Sequence, residues 1–381
     1  MKTIFSSLAF GLFTLSRMFA ADSTLPEWSI GPFSRVANAQ PVIRPNSDSV
    51  FACPMHGSNI CWEKLHTFNP AAVVKDGKIY VLYRAEDDTG AMKIGSHTSR
   101  GGLATSEDGI NFLRQSKPVL FPAVDNQQAF EWTGGCEDPR LAEREDGTFV
   151  VTYTQYGGLE NGRKWRLGLA SSTNLTNWIK RGSPFTGTKY ENLRMKSAAI
   201  VHEIHRGHLV AAKINGKYWM YFGERSVHVA TSDDLIAWKP VEDVAGKLLE
   251  VMVTRPGFFD SSLTEIGPQA VLTSKGIVVF YNGKNNDPKK GGDPELPGGV
   301  YACGQALFNH ENPTKLMTRL DKPFFKPELA WEKTGQYAAG TTFSEGLVLL
   351  KGKWFLYYGC ADTFVGVATA EYQPDRTGSE R

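Results

Sequence analysis

The residues with the clearest chemical potential lie in one short segment, residues 135–140, which reads Gly-Cys-Glu-Asp-Pro-Arg. Glu137 and Asp138 are carboxylic acids that could exchange protons with a substrate. Arg140 could keep one of them ionised or bind a substrate hydroxyl. The same segment could also be a simple turn, in which Asp138 caps the backbone or pairs with Arg140. Acid–base chemistry is therefore one of two interpretations, and the surrounding fold must decide between them.

The elements that must position this segment form an internal repeat. Five segments share a turn containing Gly and then a run of β-branched and aromatic residues: 76–83, 146–153, 215–222, 275–281 and 351–358. Asp-Gly or Asn-Gly before such a run is a strong hairpin signal. A second element follows each run, at residues 102–106, 168–172, 228–232, 301–306 and 366–370, with a degenerate fourth copy.

The spacing of the repeat indicates its architecture. Successive copies are separated by roughly 60–76 residues, which is enough for about four strands each. No long stretch after the N-terminus shows helical periodicity. We therefore predict an all-β fold, a five-bladed β-propeller, in which residues far apart in sequence meet at a central channel. A pair of β-sandwiches is the alternative, which five evenly spaced copies disfavour.

Composition and the N-terminus bear on location and partners. The formal net charge of the 381-residue chain is +2, so no bulk field favours nucleic acid as a partner. Residues 1–21 are typical of a signal peptide, with Lys2, an apolar run and small residues at the end. We predict an exported protein, periplasmic or secreted, whose residues 22–381 form a single propeller domain. No later stretch is apolar enough for membrane insertion.

Cysteine and histidine spacing argues against a metal site. The five cysteines include Cys53 and Cys61, which are close enough in sequence for a local disulfide in an oxidising compartment. No Cys-x-x-Cys pair occurs, and His202, His205 and His208 have poor spacing for a ligand set. No metal and no organic cofactor are predicted. The oligomeric state is left open.

Residues 135–140 resemble the signature of glycoside hydrolase family 130, the β-mannoside phosphorylases and β-mannosidases. Further segments resemble the other blades of that family in the same order: 68–71 with 83–85, 196–199 with 215–218, 265–268 with 281–283, and 357–362. The resemblance covers nearly all of the chain after residue 21. It implies a five-bladed propeller and an inverting attack on the anomeric carbon of a β-linked mannose.

The resemblance also implies catalytic roles. Asp138 matches the family's general acid, whose proton is thought to pass through the 3-hydroxyl of the mannose. Glu224 and Glu265 would lie near the channel, and either or both could be the general base for water. Phosphorolysis would instead need basic residues around phosphate, which two carboxylates would repel. Asn282 also replaces the histidine of a Tyr-His-Gly pattern associated with the phosphorylases.

Five further residues are candidate substrate ligands: Asn69, Arg84, Arg140, Lys196 and Asp362. The first three could bind hydroxyls of the scissile mannose. Asp362 matches a mannose contact in the fifth blade, and Lys196 could bind substrate or, in a phosphorylase, phosphate. Each could equally be a packing or surface residue. Trp62, Trp132 and Phe343 are candidate stacking platforms, although propeller aromatics more often pack between blades.

The predicted function is an exported inverting glycosidase that releases mannose from β-mannosides, with β-1,2 linkages favoured. Export supports hydrolysis, because a sugar phosphate made outside the cytoplasm would be lost to metabolism. Two alternatives stay open: a β-mannoside phosphorylase that forms mannose 1-phosphate, and a sugar-binding propeller without catalysis. The expected partner in each case is a β-mannoside oligosaccharide or glycan.

Overall fold

The computed structural model describes residues 25–89, 97–157 and 164–374. The predicted signal peptide, residues 1–21, lies outside them. Regular structure within the described ranges is nearly all β, with one four-residue helix, α1 (Gln128–Glu131), and short 3-10 turns at Pro288–Lys290 and Ala330–Glu332. No helix in these ranges has the length and apolarity needed to cross a membrane.

The strands begin with a short strand and a hairpin and continue as two four-stranded antiparallel meanders. The first three are β1 (Ser34–Arg35), β2 (Asn46–Cys53) and β3 (Ser58–Glu63). Meander 1 contains β4 (His66–Lys75), β5 (Lys78–Glu86), β6 (Ser99–Ser106) and β7 (Leu113–Arg114). Meander 2 contains β8 (Thr133–Glu143), β9 (Phe149–Gly157), β10 (Lys164–Ser172) and β11 (Ile179–Gly182).

Three more meanders complete the chain. Meander 3 contains β12 (Ala198–His205), β13 (His208–Ala211), β14 (Lys213–Ile214), β15 (Lys217–Phe222), β16 (Ser226–Ser232), β17 (Trp238–Pro240) and β18 (Met252–Val253). Meander 4 contains β19 (Leu263–Ile266), β20 (Ala270–Thr273), β21 (Gly276–Lys284), β22 (Tyr301–Phe308) and β23 (Leu316–Arg319). Meander 5 contains β24 (Thr342–Leu350), β25 (Lys353–Cys360) and β26 (Phe364–Glu371).

The predicted repeat coincides with these meanders. Every Gly-initiated run falls in one strand of its meander (β5, β9, β15, β21 or β25), and every second element falls in the strand that follows it. The turns before two of these runs adopt left-handed backbone at Asp76 and Asn215, with φ of 50° and 53°, followed by Gly77 and Gly216 at 72° and 78°. Such backbone favours Asn, Asp and Gly, which is why the hairpin signal was readable. The all-β prediction is confirmed.

The N-terminal strand closes the last meander. β1 pairs antiparallel with β26, with Ser34 opposite Thr369. The outer strand of meander 5 therefore comes from the opposite end of the chain. Arg35 then reaches Glu332, with 2.7 Å between Nε and Oε1, and a carbonyl oxygen at Lys326. This closure had no sequence signal, because a two-residue strand carries no periodicity.

The first strands of the meanders lie side by side. β24 packs on β4 and β4 on β8, while β12 contacts β8 and pairs in parallel with β20. The fourth and fifth meanders are joined by Asn282, which donates to the Ser344 carbonyl and accepts from the Ser344 amide. Hydrophobic residues form five clusters, each shared by neighbouring meanders, such as Leu82 with Val151. Burial between meanders therefore holds the five units together.

The local disulfide considered for Cys53 and Cys61 does not form. Cys53 lies opposite Ser58 in the β2–β3 hairpin, while Cys61 lies opposite Val50. The two thiols are therefore on opposite faces of the hairpin, since side chains alternate along a strand. All five cysteines are free. Sequence proximity alone could not reveal this, because register decides which face each cysteine occupies.

Candidate active site

Three of the five meanders have a β-bulge in their first strand at a polar residue. The register shifts at Asn69 in β4, at Asp138 in β8 and at Glu345 in β24. A bulge adds an unpaired residue and redirects its side chain. Pro70 and Pro139 follow the first two, and proline cannot donate to the ladder. The Asn-Pro and Asp-Pro pairs were thus a sequence signal for the bulges.

The backbone at the site departs from ordinary strand geometry. Asn69, Asp138, Ser197 and Asp362 have positive φ values of 47°, 48°, 62° and 52°. Non-glycine residues in this region are uncommon, and they cluster at functional sites because the surrounding fold must hold them. Gly359 permits one such approach, since a Cβ there would lie 2.3 Å from Asn69 Oδ1.

Asp138, the predicted general acid, is buried, with 2 % of its surface exposed. Its Oδ1 accepts hydrogen bonds from Asn69 Nδ2 at 2.7 Å and from Arg84 Nη1 at 3.0 Å. Burial alone would raise the pKa of this carboxyl, but Arg84, Lys196 and Arg140 outweigh it and hold the pKa below its usual range. Asp138 is therefore a carboxylate in the substrate-free protein.

Arg84 links Asp138 to two further carboxylates. Its Nη2 donates to Glu137 Oε1 at 2.8 Å and to Glu86 Oε1 at 2.7 Å, and its guanidinium lies over the Phe68 ring, 4.6 Å from the centroid. Burial raises the pKa of Glu137, only partly offset by Arg84, and Asp138 raises it further. One cation therefore serves three acids, and Glu137 takes a proton more readily than Asp138.

Lys196 joins the two sides of the site. Its Nζ lies 3.6 Å from Asp138 Oδ2 and 3.7 Å from Glu265 Oε1. Burial lowers its pKa, but Glu265, Asp138 and Glu224 outweigh burial and raise it, so the lysine is charged. The Asp138 and Glu265 oxygens are thus at most about 7 Å apart, a bound that includes the lower end of the roughly 6.5–9.5 Å separation in inverting glycosidases.

Glu265 and Glu224 are two further carboxylates that interact electrostatically with Lys196. Glu265 is buried and accepts a short hydrogen bond from the Ser197 hydroxyl. Glu224 is partly exposed, and its carboxylate has no hydrogen-bond donor among the residues that the structure describes. Burial raises the pKa of Glu224 and so does Glu265, while Lys196 lowers it less. The two glutamates thus form a carboxylate pair with one free member.

Asp362 also reaches this cluster, from the β25–β26 turn. Burial raises the pKa of its carboxyl to about 7, with Arg84 opposing and Glu86 and Asp138 reinforcing the shift. Gln336 donates to its backbone carbonyl, at 2.8 Å. Its side chain is therefore held among other acids, where it readily takes a proton and can donate to a hydroxyl.

Arg140 is held by protein groups. Its Nη1 donates to the Asp138 carbonyl at 2.9 Å and lies 2.8 Å from Glu345 Oε1, and its Nη2 donates to the Ile266 carbonyl at 2.7 Å. Its Nε donates to the Gly267 carbonyl. These contacts fix the bulge at Asp138 against meander 4. Sugar binding by Arg140 stays a prediction, but the geometry gives this arginine a positioning function.

Two aromatic residues, Tyr301 in meander 4 and Tyr337 between meanders 4 and 5, were missed by the sequence analysis. Tyr301 contacts Tyr337 and Phe343, with ring centroids 5.4 Å and 5.7 Å apart, and Glu265 acts on Tyr301 electrostatically. Phe343 alone was a predicted platform. Trp62, also predicted, is fully buried and donates to the Ser116 carbonyl, so it is a core residue.

Comparison with known proteins identifies the family. Residues 41–373 match glycoside hydrolase family 130, described as beta-1,4-mannooligosaccharide phosphorylase. The chain belongs to glycoside hydrolase family 130. It is an enzyme of that family, and the resemblance drawn from residues 135–140 is confirmed.

Relatives in family 130 differ in reaction. The 1,2-beta-oligomannan phosphorylase of Thermoanaerobacter sp. (strain X514) is 32% identical over 311 residues, 81% of this chain and 91% of that protein. A putative glycosidase from Bacteroides thetaiotaomicron VPI-5482 is 50% identical, with a TM-score of 0.88 over 92% of this chain and 99% of that one.

A further solved structure of a similar protein concerns β-1,2 linkages. It is reported with the finding that the GH130 family of mannoside phosphorylases contains glycoside hydrolases that target beta-1,2 mannosidic linkages in Candida mannan. It is 48% identical to this chain, with a TM-score of 0.88, and covers 94% of this chain and 98% of that one.

Asn282, which departs from the Tyr-His-Gly pattern, has a structural role in this family 130 chain. Its side chain is buried and its polar atoms are used by Ser344, as described above. It is therefore not directed toward a bound anion.

One group among the described residues has the spacing of a metal site. His66, Glu86 and His97 offer ligand atoms within 4.8 Å of one another. Both Glu86 oxygens already accept hydrogen bonds, from Arg84 and Gln336. A cation there would have to compete with the Arg84 guanidinium, so the donor set favours the existing network.

Proposed function

We propose that this enzyme is an inverting β-mannosidase that releases mannose by hydrolysis and acts on β-1,2 linkages. The observation that carries the proposal is the carboxylate pair Glu224 and Glu265, which interacts with the same lysine, Lys196, as Asp138 does. Hydrolysis needs a carboxylate to take a proton from water. A phosphate dianion at the same place would face two negative side chains, with Lys196 as the cation between them.

We infer that the five meanders are the blades of a five-bladed propeller. The ring of first strands and the five shared core clusters support this. In that architecture the bulged residues of β4, β8 and β24 converge at one end of the central channel. Asn69, Asp138 and Glu345 would then meet there although they are far apart in sequence.

Asp138 supplies the proton for the leaving group in this proposal. It is ionised in the free site, so it must gain a proton as substrate binds. A mannose hydroxyl inserted between Asp138 and Lys196 would weaken the 3.6 Å pair that favours the carboxylate, and water exclusion would raise the pKa of Asp138 further. The proton then passes through the 3-hydroxyl of the mannose to the glycosidic oxygen.

Glu224 is the residue we assign as general base. Glu265 is already bonded to Ser197 and close to Lys196, whereas the Glu224 carboxylate is free to bind water. The raised pKa of Glu224 makes it a stronger base than an ordinary glutamate. Glu265 then orients Lys196 and the water. Attack from the face opposite the leaving group inverts the anomeric configuration.

The test is product analysis on β-1,2- and β-1,4-mannobiose, with and without inorganic phosphate. We expect mannose, released at the same rate in both conditions, first as the α anomer by NMR. Mannose 1-phosphate formed only with phosphate would establish the alternative, phosphorolysis, which the named activity of the Thermoanaerobacter relative favours. Cleavage of only the β-1,4 disaccharide would overturn the proposed linkage.

We also propose that the enzyme is exported. Residues 1–21 carry the signal-peptide pattern, and hydrolysis outside the cytoplasm loses no sugar phosphate. N-terminal sequencing of the protein recovered from a Gram-negative host's periplasm should begin near residue 22. An unprocessed N-terminus recovered only from the cytoplasm would contradict export.

A further inference from the structure

A cavity beside β9 and β10 is used by none of the steps above. It has a volume of about 430 Å³, within the roughly 300–1,000 Å³ range of small-molecule sites. We call it the outer pocket, and it is lined by Phe130, Gln155, Trp165, Arg166, Asn192 and Arg194. These are aromatic faces combined with planar polar groups, without a carboxylate.

Strand register places the outer pocket on the same end of meander 2 as Asp138. Arg166 lies opposite Gln155, and Gln155 lies opposite Cys136, so the three form one row across β10, β9 and β8. Asp138 is two residues from Cys136. β10 is two strand spacings from β8, roughly 10 Å. One or two sugar rings bridge that distance.

The segment that carries Lys196 also builds the outer pocket. Asn192 and Arg194 precede Lys196 by four and two residues. Asn192 Oδ1 accepts from Arg166 Nη1 at 2.9 Å, which fixes this segment to β10. A ligand that leaves the carboxylate cluster along this segment therefore meets the outer pocket next.

The pocket's surfaces suit a neutral sugar. Trp165 stacks on Tyr156 with centroids 6.4 Å apart and an interplanar angle of 22°, and Phe130 is 36 % exposed. Trp165 Nε1 is a buried donor with no partner in the part of the chain that the structure describes. Aromatic faces bury the C–H side of a sugar while amide and guanidinium groups bind its hydroxyls.

One of the two arginines of the pocket, Arg166, is held by protein groups. Arg166 donates to Gln155 and Asn192, and its guanidinium lies 3.3 Å from the centroid of the Phe130 ring. Only Arg194 is an exposed cation here, and it lies 5.6 Å from the Trp165 centroid.

We propose that the outer pocket is a subsite for the leaving-group side of a β-mannan chain, beyond the sugar next to the scissile bond. This rests on the proposed function and extends it. The enzyme would prefer longer β-1,2-mannooligosaccharides to the disaccharide. The added binding energy would come from Trp165 and Arg194.

The test compares kcat/KM for β-1,2-mannotetraose with that for β-1,2-mannobiose. We expect a ratio of at least about tenfold, a factor worth about 1.4 kcal/mol. Trp165→Ala and Arg194→Ala should each reduce the ratio. Arg181→Ala is the control, because Arg181 is an exposed arginine on β11 that bonds Ser171 outside the pocket. A ratio near one in the unaltered enzyme, or one unchanged in both pocket variants, would overturn the subsite.

Direct binding separates this proposal from the proposed function. Calorimetric titration of both oligosaccharides into Asp138→Asn protein, with and without Trp165→Ala, measures binding in the absence of turnover. Tighter tetraose binding that Trp165→Ala abolishes supports the subsite even if phosphate proves to be the nucleophile. Equal affinities for the two sugars would reject the subsite even if hydrolysis is observed.

Discussion

At the residue scale, one aspartate is held by three basic or amide side chains. Asn69 and Arg84 donate to one oxygen of Asp138, and Lys196 lies near the other. These groups favour the ionised form of Asp138, so we expect this carboxyl to stay deprotonated until a substrate hydroxyl changes its contacts. The proposed acid role of Asp138 therefore requires substrate binding and the hydroxyl that would relay its proton.

Asp138→Asn should lower kcat/KM on β-1,2-mannobiose by roughly 100- to 10,000-fold, because the amide cannot supply the proton. The shape of the side chain is kept, so the melting temperature should change little. Asp146→Asn is the matched control, since Asp146 lies in an exposed turn and caps Thr148. A β-mannoside that lacks the 3-hydroxyl should be cleaved poorly by the unaltered enzyme, and normal cleavage would exclude the relay.

If Glu224 is the general base, its ionisation should set the acidic limb of the profile of kcat/KM against pH. A base works only when ionised, and burial followed by Glu265 raises the pKa of Glu224. As pH falls, kcat/KM should therefore decline at a higher pH than an ordinary glutamate, near 4.3, would give. The measurement is kcat/KM across pH, repeated for Glu224→Ala with azide, which needs no base.

With azide the Glu224→Ala enzyme should form α-mannosyl azide and lose the acidic limb. Glu265→Ala treated in the same way is the comparison. If azide restores Glu265→Ala and not Glu224→Ala, Glu265 is the base and our assignment is wrong. Asp362→Asn reports whether the Asp362 carboxyl, whose pKa is raised to about 7, contributes to the same limb.

At the element scale, the β-bulges and the closing strand β1 bring together residues of different meanders, which the hairpins alone would not do. Antiparallel hairpins build each meander. The bulges in β4 and β8 redirect Asn69 and Asp138, and Arg140 connects the β8 bulge to meander 4. β1 completes meander 5 through pairing with β26. The site thus depends on contacts between meanders, and the closing strand stabilises the ring that makes them.

Arg35→Ala should lower the free energy of unfolding by about 3 kcal/mol, because it leaves the buried Glu332 carboxylate without its cation. The measurement is urea denaturation of the mature chain. Lys217→Ala is the control, since its exposed pair with Asp233 should contribute less than about 1 kcal/mol. Equal losses in the two variants would mean that β1 does not close meander 5 through Arg35.

At the scale of the whole molecule, burial between the meanders is the source of stability in place of covalent links. Hydrophobic clusters lie at each junction, and all five cysteines are free. Four thiols are buried, and burial raises the pKa of Cys136, Cys303 and Cys360. Cys61 alone is partly exposed.

A thiol reagent should therefore label only Cys61 in the folded protein and all five cysteines after unfolding in denaturant without reductant. Cys61→Ser should remove the native reaction and leave four thiols in the unfolded chain. A reducing agent should not change the melting temperature. Fewer than five thiols in the unfolded, unreduced protein would show that a disulfide forms.

The sequence by itself determined the repeat, the strand type and the family motif. Each depends on local information, since turn chemistry and β-branched runs are readable within a few residues, as at Asp76-Gly77 and Asn215-Gly216. Residues 135–140 identified the acid candidate in the same way. Asn-Pro and Asp-Pro pairs also marked the bulges, although the strand analysis did not use them.

Only the tertiary structure decided how these residues meet. Lys196 lies between Asp138 and Glu265 because three different meanders converge, and no spacing along the chain encodes that contact. Arg140 donates to the backbone carbonyls of Ile266 and Gly267. Cys53 and Cys61 lie on opposite faces of the β2–β3 hairpin. Register, bulges and long-range packing set these outcomes, because each depends on partners distant in sequence.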